Sequence, residues 1–325
     1  MPTIKDVADK AGVTPTTVSR ILNNRGYIGE KTRQKVYQAM RDLDYQPNEV
    51  ARSLSKKHSN WIGIILPSIR HPFFSIVLHW LEYYASLNGY KIMVCNSQHD
   101  LKKEVEYLDL LRSNRVAGII FCTRGDSIDK ELKTLCPIVA FEKEYAEGVP
   151  AVACDNYEGG KLATQRLIKA GRRNLLLLSG TQNLNLPAEL REKAFMDVCR
   201  EEKINGIEFF SSEIQFETQD YELWIMDILL SHPEVDGVFA TSDVIAAQVI
   251  RACHKLGRRI PEDISLIGFD DVEIASLTSP SLTTIHQPIE QMCFYAIDAI
   301  IKKLKGESVP DKIVLPVTLV ERESV

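Results

Sequence analysis

The sequence contains no apolar run long enough to cross a membrane. A spanning helix needs about 18 or more consecutive apolar residues, and no segment of the 325 residues approaches that length. The first ten residues, MPTIKDVADK, are charged where a secretory signal peptide has an apolar stretch. We therefore expect a cytoplasmic protein that makes no contact with a membrane.

Closely spaced cysteines are also missing. The seven cysteines are an odd number, no CxxC pair occurs, and several lie inside apolar runs such as GIIFCT and AVACD. A disulfide framework or a structural zinc site needs cysteines in paired, closely spaced sets. The seven histidines show no metal-ligand spacing either. We expect reduced cysteines in the protein core and no bound metal.

The motifs of common nucleotide-binding enzymes and hydrolases are absent. No GxGxxG segment follows a candidate strand, and no GxSxG segment occurs. The segment GYIGEKT resembles a phosphate-binding loop only superficially, because its spacing is not GxxxxGKS/T and no strand precedes it. Nothing in the sequence indicates catalysis, so we expect neither catalytic residues nor a cofactor.

The charge that is present is unevenly distributed. The chain has a net charge of −5, but residues 1–60 carry eleven Lys and Arg against six Asp and Glu, so this part is +5 and the rest is −10. A small basic segment joined to an acidic body indicates that only the first segment meets a polyanion such as nucleic acid. Chance clustering of charge is the alternative.

The pattern of apolar residues also changes along the chain. Over residues 3–45 they recur at the spacing of amphipathic helices, and three short helices fit. The residues expected to begin or end these helices are Thr3, Gly12, Thr14 with Pro15, and Gly29 with Glu30. From Trp61 onward, nine short β-rich segments, from WIGIILPS to ISLIGFDD, mostly alternate with helical ones, which predicts parallel sheets. Nine strands are more than one sheet usually holds, so we expect two α/β lobes.

The stretch AGVTPTTVSRILNN, residues 11–24, fits a helix-turn-helix. Its second helix opens on Thr-Pro-Thr-Thr after a tight turn at Gly12 and would enter the major groove with its N-terminal end. Arg20 can pair bidentately with guanine, while Thr side chains can contact bases or phosphates. The predicted DNA-binding residues here are Thr14, Pro15, Thr16, Thr17, Arg20 and Asn23. The alternative is a plain three-helix cap on an enzyme.

These segments carry a family resemblance. TIKDVADKAGVTPTTVSRILN, followed by YQPNEVARSL, resembles the lactose and galactose repressor family of bacterial transcription regulators. DNYEGGKLATQRLIKAG, IPEDISLIGFDD and SPSLTTIHQP also lie where that family has similar blocks, and the likeness is greatest to the sucrose-operon repressors of Gram-positive bacteria. It implies an α-helical helix-turn-helix headpiece (1–47), a hinge (48–59) and a two-lobed α/β effector domain of the periplasmic-binding-protein type (60–325).

The function that the resemblance implies is a homodimeric repressor of a carbohydrate-utilisation operon. It would bind double-stranded operator DNA under the control of a small sugar or sugar phosphate. In the family, the hinge segment NEVARSLSKK becomes helical when two protomers meet on DNA; this makes Ser53 a DNA contact and Leu54 an apolar wedge in the minor groove. Ordinary linker packing is the alternative for Leu54.

The effector cleft is expected where the strand ends of the two lobes face each other. The resemblance makes Arg191 and Asp270 effector contacts, and an Arg donor fork beside an Asp acceptor suits a hydroxyl-rich ligand. Phe73 and Phe74 follow the first strand and can form an aromatic wall. The further candidates are Glu142, Asp155, Phe216, Ser242 and Asp243. Helix capping or hydrogen bonding between lobes is the alternative for the polar candidates.

Some positions depart from the family pattern. Glu142 and Lys143 stand where relatives often have Asp-Arg, and Ala194 stands where Gly is usual, so either change can alter the pocket. The chain ends at TLVERESV without the heptad helix of tetrameric relatives, and we expect a dimer. Two alternatives remain: a catabolite-control-type regulator controlled by a phosphorylated carrier protein, and a solute-binding or enzymatic body.

Overall fold

In the structure, which is a computed structural model, the chain divides into two units, residues 1–59 and 60–325. The residues that the structure describes are 2–22, 26–46, 59–98, 100–122, 136–144, 148–181 and 186–325. Each unit has buried apolar clusters of its own.

The described part of the first unit has three helices. They are α1 (Ile4–Ala11), α2 (Pro15–Leu22) and α3 (Glu30–Asp42). Thr3 begins α1 as predicted: its hydroxyl accepts a hydrogen bond from the Asp6 N–H (3.4 Å), and the Asp6 carboxylate accepts one from the Thr3 N–H (2.7 Å). Gly12 ends α1 with a φ of 66°, a conformation that glycine adopts without strain. At the start of α2, the Thr14 hydroxyl accepts from the Thr17 N–H (3.2 Å), again as predicted.

Apolar residues from all three helices form the core of the first unit. Its buried members are Val7, Ala8, Val18, Ile21, Val36 and Ala39. Val18 and Ile21 take the inward positions on α2 that their spacing predicts, and Leu22 packs against the same cluster. Helix α2 is therefore anchored by one face, and its other face is left for contacts outside the unit.

Within the described residues, the second unit contains two six-stranded sheets. Their strands are β1 (Trp61–Leu66), β2 (Lys91–Asn96), β3 (Gly118–Phe121), β4 (Ile138–Phe141), β5 (Ala151–Cys154), β6 (Asn174–Ser179), β7 (Asn205–Phe210), β8 (Gly237–Ala240), β9 (Ser265–Asp270), β10 (Thr283–His286), β11 (Lys312–Leu315) and β12 (Thr318–Val320). The N-lobe sheet has the order β11-β5-β4-β3-β1-β2, and the C-lobe sheet has the order β12-β10-β9-β8-β6-β7. All neighbouring strands are parallel except β10 and β12.

Helices pack against both sheets. Those of the N-lobe are α4 (Pro72–Leu87), α5 (Leu101–Ser113) and α12 (Ile289–Lys305). Those of the C-lobe are α6 (Asn156–Lys169), α7 (Leu190–Glu201), α8 (Glu213–Thr218), α9 (Glu222–Ser231), α10 (Asp243–Lys255) and α11 (Glu273–Leu277), with a 3-10 turn at Pro187–Glu189 before α7. The chain passes between the lobes after β5, after β10 and between β11 and β12. The predicted fold class, a helix-turn-helix headpiece followed by two α/β lobes, is confirmed.

Strands β10, β11 and β12 were missing from the sequence prediction, and the expectation of purely parallel sheets was wrong for β12. Each of the three has only three or four residues. They lie close to Pro280, Pro288, Pro310 and Pro316. Proline disrupts the alternating pattern by which short strands are recognised, and the pairing of β12 with β10 depends on contacts distant in sequence.

Two glycines allow helix α6 to pack closely on its neighbours. A Cβ atom at Gly159 would lie 2.6 Å from the Phe269 ring, and one at Gly160 would lie 2.5 Å from the backbone oxygen of Arg191. Helix α6 is therefore held against β9 and against the backbone of α7.

All seven cysteines are free thiols, and six of them are buried. Burial raises the pKa of the Cys95 and Cys253 thiols to about 11, so both remain protonated and unreactive at neutral pH. The expectation of reduced core cysteines is confirmed for these six. Cys136 is the exception, because it is only half-buried.

Candidate functional site

The exposed face of α2 brings together most of the predicted DNA-binding side chains. Thr14, Pro15, Thr16 and Arg20 are exposed, whereas Thr17 is half-buried. The hydroxyls of Thr14 and Thr17 lie 2.9 Å apart and are hydrogen-bonded to each other. Threonine hydroxyls and an arginine therefore lie on one side of a helix whose other side is buried.

The N-terminal end of α2 has the electrostatics of a phosphate contact. Backbone N–H groups without helical partners point out of the first turn of a helix, and the helix dipole adds positive potential there. Pro15 occupies the first helical position, where its missing N–H is not needed. Asn23, Ser53 and Leu54 lie outside the described residues, and their DNA contacts stay predictions.

The second unit has a cavity at the carboxyl ends of strands from both lobes. It is lined by residues that end or follow β3, β4, β6, β8, β9 and β10. Its volume is about 130 Å³, about ten times the space that one ordered water requires. Carboxyl ends of parallel strands are where α/β folds bind ligands. The cavity is therefore the candidate ligand site of this unit.

Arg191 is the central cation of the cavity. Its Nε donates to Asn156 Oδ1 (2.7 Å), its Nη1 donates to the Thr241 carbonyl (2.8 Å), and the Nη1 atom lies 3.8 Å from Asp270 Oδ1. The guanidinium also lies over the Phe269 ring, 3.5 Å from its centroid. Within the described residues, two of its five N–H groups make hydrogen bonds, so the fork retains donors for a ligand.

Glu142 and Asp270 place carboxylates beside Arg191. Burial raises the pKa of Asp270 to about 7 and raises that of Glu142, although Arg191 opposes both shifts. Both residues have a positive φ, 54° for Glu142 and 114° for Asp270. This backbone is strained for residues with a side chain, and such strain concentrates at ligand sites.

Asn156 connects these groups, although it does not line the cavity. Its amide donates to Glu142 Oε2 (3.0 Å) while its oxygen accepts from Arg191. The neighbouring Asp155, predicted as an effector contact, instead begins α6, where its carboxylate accepts from the Glu158 N–H (3.0 Å). Asp155 does not line the cavity, and the reason is that its carboxylate is used as a helix cap.

Asp243 is a second predicted contact that lies away from the cavity lining. It is fully buried, and its carboxylate accepts from the Thr284 hydroxyl (2.6 Å) and the Val272 N–H (2.8 Å). Its role is to fix the end of β9 to α10. Ser242, by contrast, lines the cavity while its hydroxyl accepts from the Ile245 N–H (3.3 Å) and begins α10.

A second group of polar residues, missed by the sequence analysis, lines the cavity. The Ser179 hydroxyl donates to Glu192 Oε1 (2.7 Å) and lies 3.0 Å from the Thr241 hydroxyl. Burial raises the pKa of Glu192 to about 7, and Glu189 adds to the shift. Serine and threonine directly after buried strands were the only sequence signal for this group.

Gln287 was also missed. It is 1% exposed and its amide donates to Asp270 Oδ1 (2.6 Å). Its own oxygen is buried and has no hydrogen-bond partner within the described residues. A buried acceptor without a partner is costly, so Gln287 offers a ligand donor a favourable position at the cavity wall.

The opposite wall is aromatic. Phe73 and Phe74 of α4 line the cavity together with Phe216 of α8, and Tyr221 adds a further ring; that the three phenylalanines contact an effector stays a prediction. His71 stacks on Phe216 with the ring centroids 5.8 Å apart, and this contact joins the two lobes. Apolar ring faces opposite hydrogen-bonding groups are typical of sites for sugars, which have apolar C–H faces and polar hydroxyls.

The departures from the family pattern affect the cavity unequally. Glu142 lines it, whereas Lys143 is 2% exposed and lies outside the lining. Ala194 is buried where α7 meets Gly160 and does not reach the cavity either.

The described residues contain no cluster of His, Cys, Asp and Glu placed to hold a metal ion. None of their helices is long and apolar enough to cross a membrane.

Known proteins match both units. A model of bacterial regulatory proteins of the lacI family matches residues 3–48, and a periplasmic binding protein-like domain matches residues 164–325. The sucrose operon repressor of Streptococcus mutans is 37% identical over 322 residues, which is 99% of either chain. A periplasmic binding protein/LacI transcriptional regulator from Alkaliphilus metalliredigens, solved with D-xylulofuranose, is 36% identical over 82% of this chain and 99% of its own (TM-score 0.74). The lac repressor dimer bound to operator and the anti-inducer ONPF is 27% identical over 99% and 98% (TM-score 0.87).

Proposed function

Because this chain belongs to the lacI family of bacterial regulatory proteins, we propose that it is the repressor of a sugar-utilisation operon and that a sugar in the cavity controls its binding to operator DNA. The family resemblance is confirmed, and the chain is a DNA-binding regulator controlled by a small-molecule effector. The observation that carries the sugar assignment is the Arg191–Asp270 pair opposite an aromatic wall. A relative named for the sucrose operon and a neighbour solved with D-xylulofuranose support it.

The DNA-binding part of the proposal rests on α2. Arg20 reads a base edge, and Thr14, Pro15, Thr16 and Thr17 contact bases or phosphates at the N-terminal end of the helix. The similar lac repressor is a dimer on its operator, and we place this chain in a homodimer on a two-fold related site. Since its partner is chromosomal DNA, the protein acts in the cytoplasm, without catalysis of its own.

The switch requires an effector that binds one conformation better than the other. The cavity satisfies this requirement because its lining comes from both lobes, so any change in their separation changes the ligand contacts. Phe73 and Glu142 come from the N-lobe, and Arg191 and Asp270 come from the C-lobe.

The test combines an operator with a sugar screen. An operator is first selected from random DNA by the full-length protein, and the melting temperature of the protein is then measured with mono- and disaccharides. A sugar that binds the folded state raises the melting temperature by mass action. We expect at least one sugar to do so and to change operator affinity, and the direction of that change gives the sign of regulation.

Two variants of α7 locate the effect. Arg191→Ala should abolish the shift, whereas Lys193→Ala, an exposed cation two residues further along the same helix, should keep it. If no sugar stabilises the wild type, or if Arg191→Ala responds like the wild type, the sugar proposal is wrong and a protein partner becomes the better candidate.

A further inference from the structure

The cavity carries an excess of negative charge among its described residues. Four carboxylic acids line it, namely Glu142, Glu189, Glu192 and Asp270, and Arg191 is the only lysine or arginine among the described lining residues. From this imbalance we infer that the effector is an uncharged sugar and that the cavity rejects the phosphate esters of the same sugar. The inference rests on the proposed function and narrows its ligand class.

The one arginine is already engaged by the protein. Its guanidinium pairs with Asp270 and donates to Asn156 and to a backbone carbonyl. Phosphate-binding arginines instead offer a bidentate fork free of competing carboxylates. A phosphate at the remaining N–H donors of Arg191 would lie beside the buried Asp270 carboxylate and compete with it for the same cation, which is unfavourable.

The carboxylates themselves oppose a second anion. Burial keeps the pKa of Asp270 and Glu192 at about 7, so at pH 8 most of each is ionised. A phosphate group would either face these charges at low dielectric or force the carboxyl groups to take up protons, and both processes cost affinity. Sugar hydroxyls, in contrast, donate to carboxylates without adding charge.

A neighbouring cleft of the same unit does not supply the missing positive charge. It is lined by Arg70 and Lys103, but also by Asp100 and Glu217, so its charges balance. Lys103 Nζ donates to Gln98 Oε1 (2.6 Å), and Arg70 donates to the carbonyl of Glu217 (3.4 Å). Arg70 is exposed and Lys103 is half-buried, and each already donates to a protein group, so the two do not form a built anion site.

The experiment compares matched pairs of ligands by isothermal titration calorimetry of the full-length protein at pH 8. The pairs are D-fructose with fructose 6-phosphate, D-ribose with ribose 5-phosphate, D-xylulose with xylulose 5-phosphate, and sucrose with sucrose 6-phosphate. In every pair with a binding member, we expect the uncharged sugar to bind at least tenfold more tightly than its ester.

Charge-neutral variants test the cause. The double variant Glu189→Gln/Glu192→Gln keeps the side-chain shapes, and a glutamine at 192 can still accept from Ser179. In this variant, the ratio of the affinity for the uncharged sugar to the affinity for its ester should be at least threefold smaller than in the wild type. The control Glu201→Gln/Glu202→Gln removes two exposed carboxylates at the far end of α7 and should leave the preference unchanged.

Each outcome bears on a different claim. An ester that binds as tightly as its uncharged partner, or more tightly, overturns the charge inference and leaves the sugar proposal standing. If Glu189→Gln/Glu192→Gln prefers the uncharged sugar as strongly as the wild type does, these two carboxylates do not cause the rejection of the ester. That result also overturns the inference. If no member of any pair binds, both the inference and the sugar proposal fail.

Discussion

Helix α2 and the cavity differ in what their polar groups contact before a ligand arrives. The side chains of Thr16 and Arg20 are exposed and make no hydrogen bond within the described residues. Arg191 and Asp270 are almost fully buried and bound to each other and to neighbouring groups. Before a ligand binds, the polar groups of α2 are hydrated, whereas those of the cavity are hydrogen-bonded or ion-paired to other protein groups.

This difference suits α2 to setting the affinity for DNA and the cavity to controlling the conformation of the protein. DNA bound at α2, as proposed, would replace water molecules and counterions, so its affinity would depend on salt and on a few exposed groups. A ligand in the cavity would meet hydrogen bonds that already connect α6, α7 and both sheets, and it would have to replace or rearrange some of them. Binding there changes which protein groups are paired, and this is what a conformational switch requires.

The largest expected effect is that of Asp270→Asn, which tests whether the buried ion pair with Arg191 contributes to effector binding. Asp270→Asn removes the acceptor charge but preserves the side-chain shape. We expect effector affinity to fall about 100-fold, the upper range for one charged hydrogen bond. The melting temperature at pH 8 should not fall, because burial already opposes the ionised carboxylate. Calorimetry and thermal melting check both points, and unchanged affinity would remove Asp270 from the ligand contacts.

Arg20→Ala tests the exposed character of α2. One bidentate arginine–guanine contact contributes about 1–3 kcal/mol, so operator affinity should fall about 5- to 150-fold while effector binding stays as in the wild type. Fluorescence anisotropy with operator and scrambled DNA measures the loss. Arg41→Ala, an exposed arginine on α3 that donates to Gln38, is the matched control. Equal losses in the two variants would contradict the assignment of the reading helix.

Phe216→Ala tests the aromatic wall. The ring stacks on His71 across the lobes and lines the cavity, so its loss should weaken effector binding about tenfold. Ile214→Ala removes an exposed apolar side chain, 71% accessible, from the same short helix and should have no effect. The two affinities are compared by calorimetry, and a similar loss in both would indicate damage to α8 rather than a ligand contact.

Glu192→Gln should have the smallest effect, a change in stability with pH. Burial raises the pKa of Glu192 from 4.5 to about 7. The folded protein therefore holds a proton that the unfolded chain releases, and stability decreases as pH rises from about 4.5 to 7. The shift corresponds to about 3 kcal/mol above pH 7, which solvent at the half-buried Glu192 reduces to about 1–2 kcal/mol. The variant should therefore melt several degrees higher than wild type at pH 8 and by a much smaller margin at pH 5.

Thermal melting across this range checks the prediction. Glu201→Gln on the same helix is the control and should show no such dependence on pH. A constant difference between Glu192→Gln and wild type at all pH values would mean that ionisation of Glu192 does not limit stability.

The surface of α2 could be predicted from sequence because its determinants are local. Thr3, Gly12, Thr14 and Pro15 determine helix ends within a few residues of their positions. In the cavity, the family resemblance supplied residues such as Arg191, and the position after the first strand supplied Phe73 and Phe74. Gln287 directly follows β10 and Ser179 is the last residue of β6, and only the order of strands in the sheets brings these two polar residues together.

The error at Asp155 shows the limit on a finer scale. Asp155 and Asn156 are adjacent, and either can be a cap or a contact on chemical grounds. The structure uses the aspartate to begin α6 and the asparagine to hold Glu142 and Arg191. A shift of one residue at a helix start rotates a side chain by about 100° about the helix axis. Sequence patterns do not locate helix starts to one residue, so they cannot tell which of the two side chains faces the cavity.

The contact at Gly160 has a consequence for protein engineering. Since no side chain fits between α6 and the backbone of Arg191, these two helices form one rigid mount for the central cation of the cavity. A biosensor designer can vary Phe74, Phe216 or Glu189 around that mount to change which ligand is detected. Position 160 should be left as glycine, because a side chain there would push α7 away from α6 and displace Arg191 instead of changing ligand specificity.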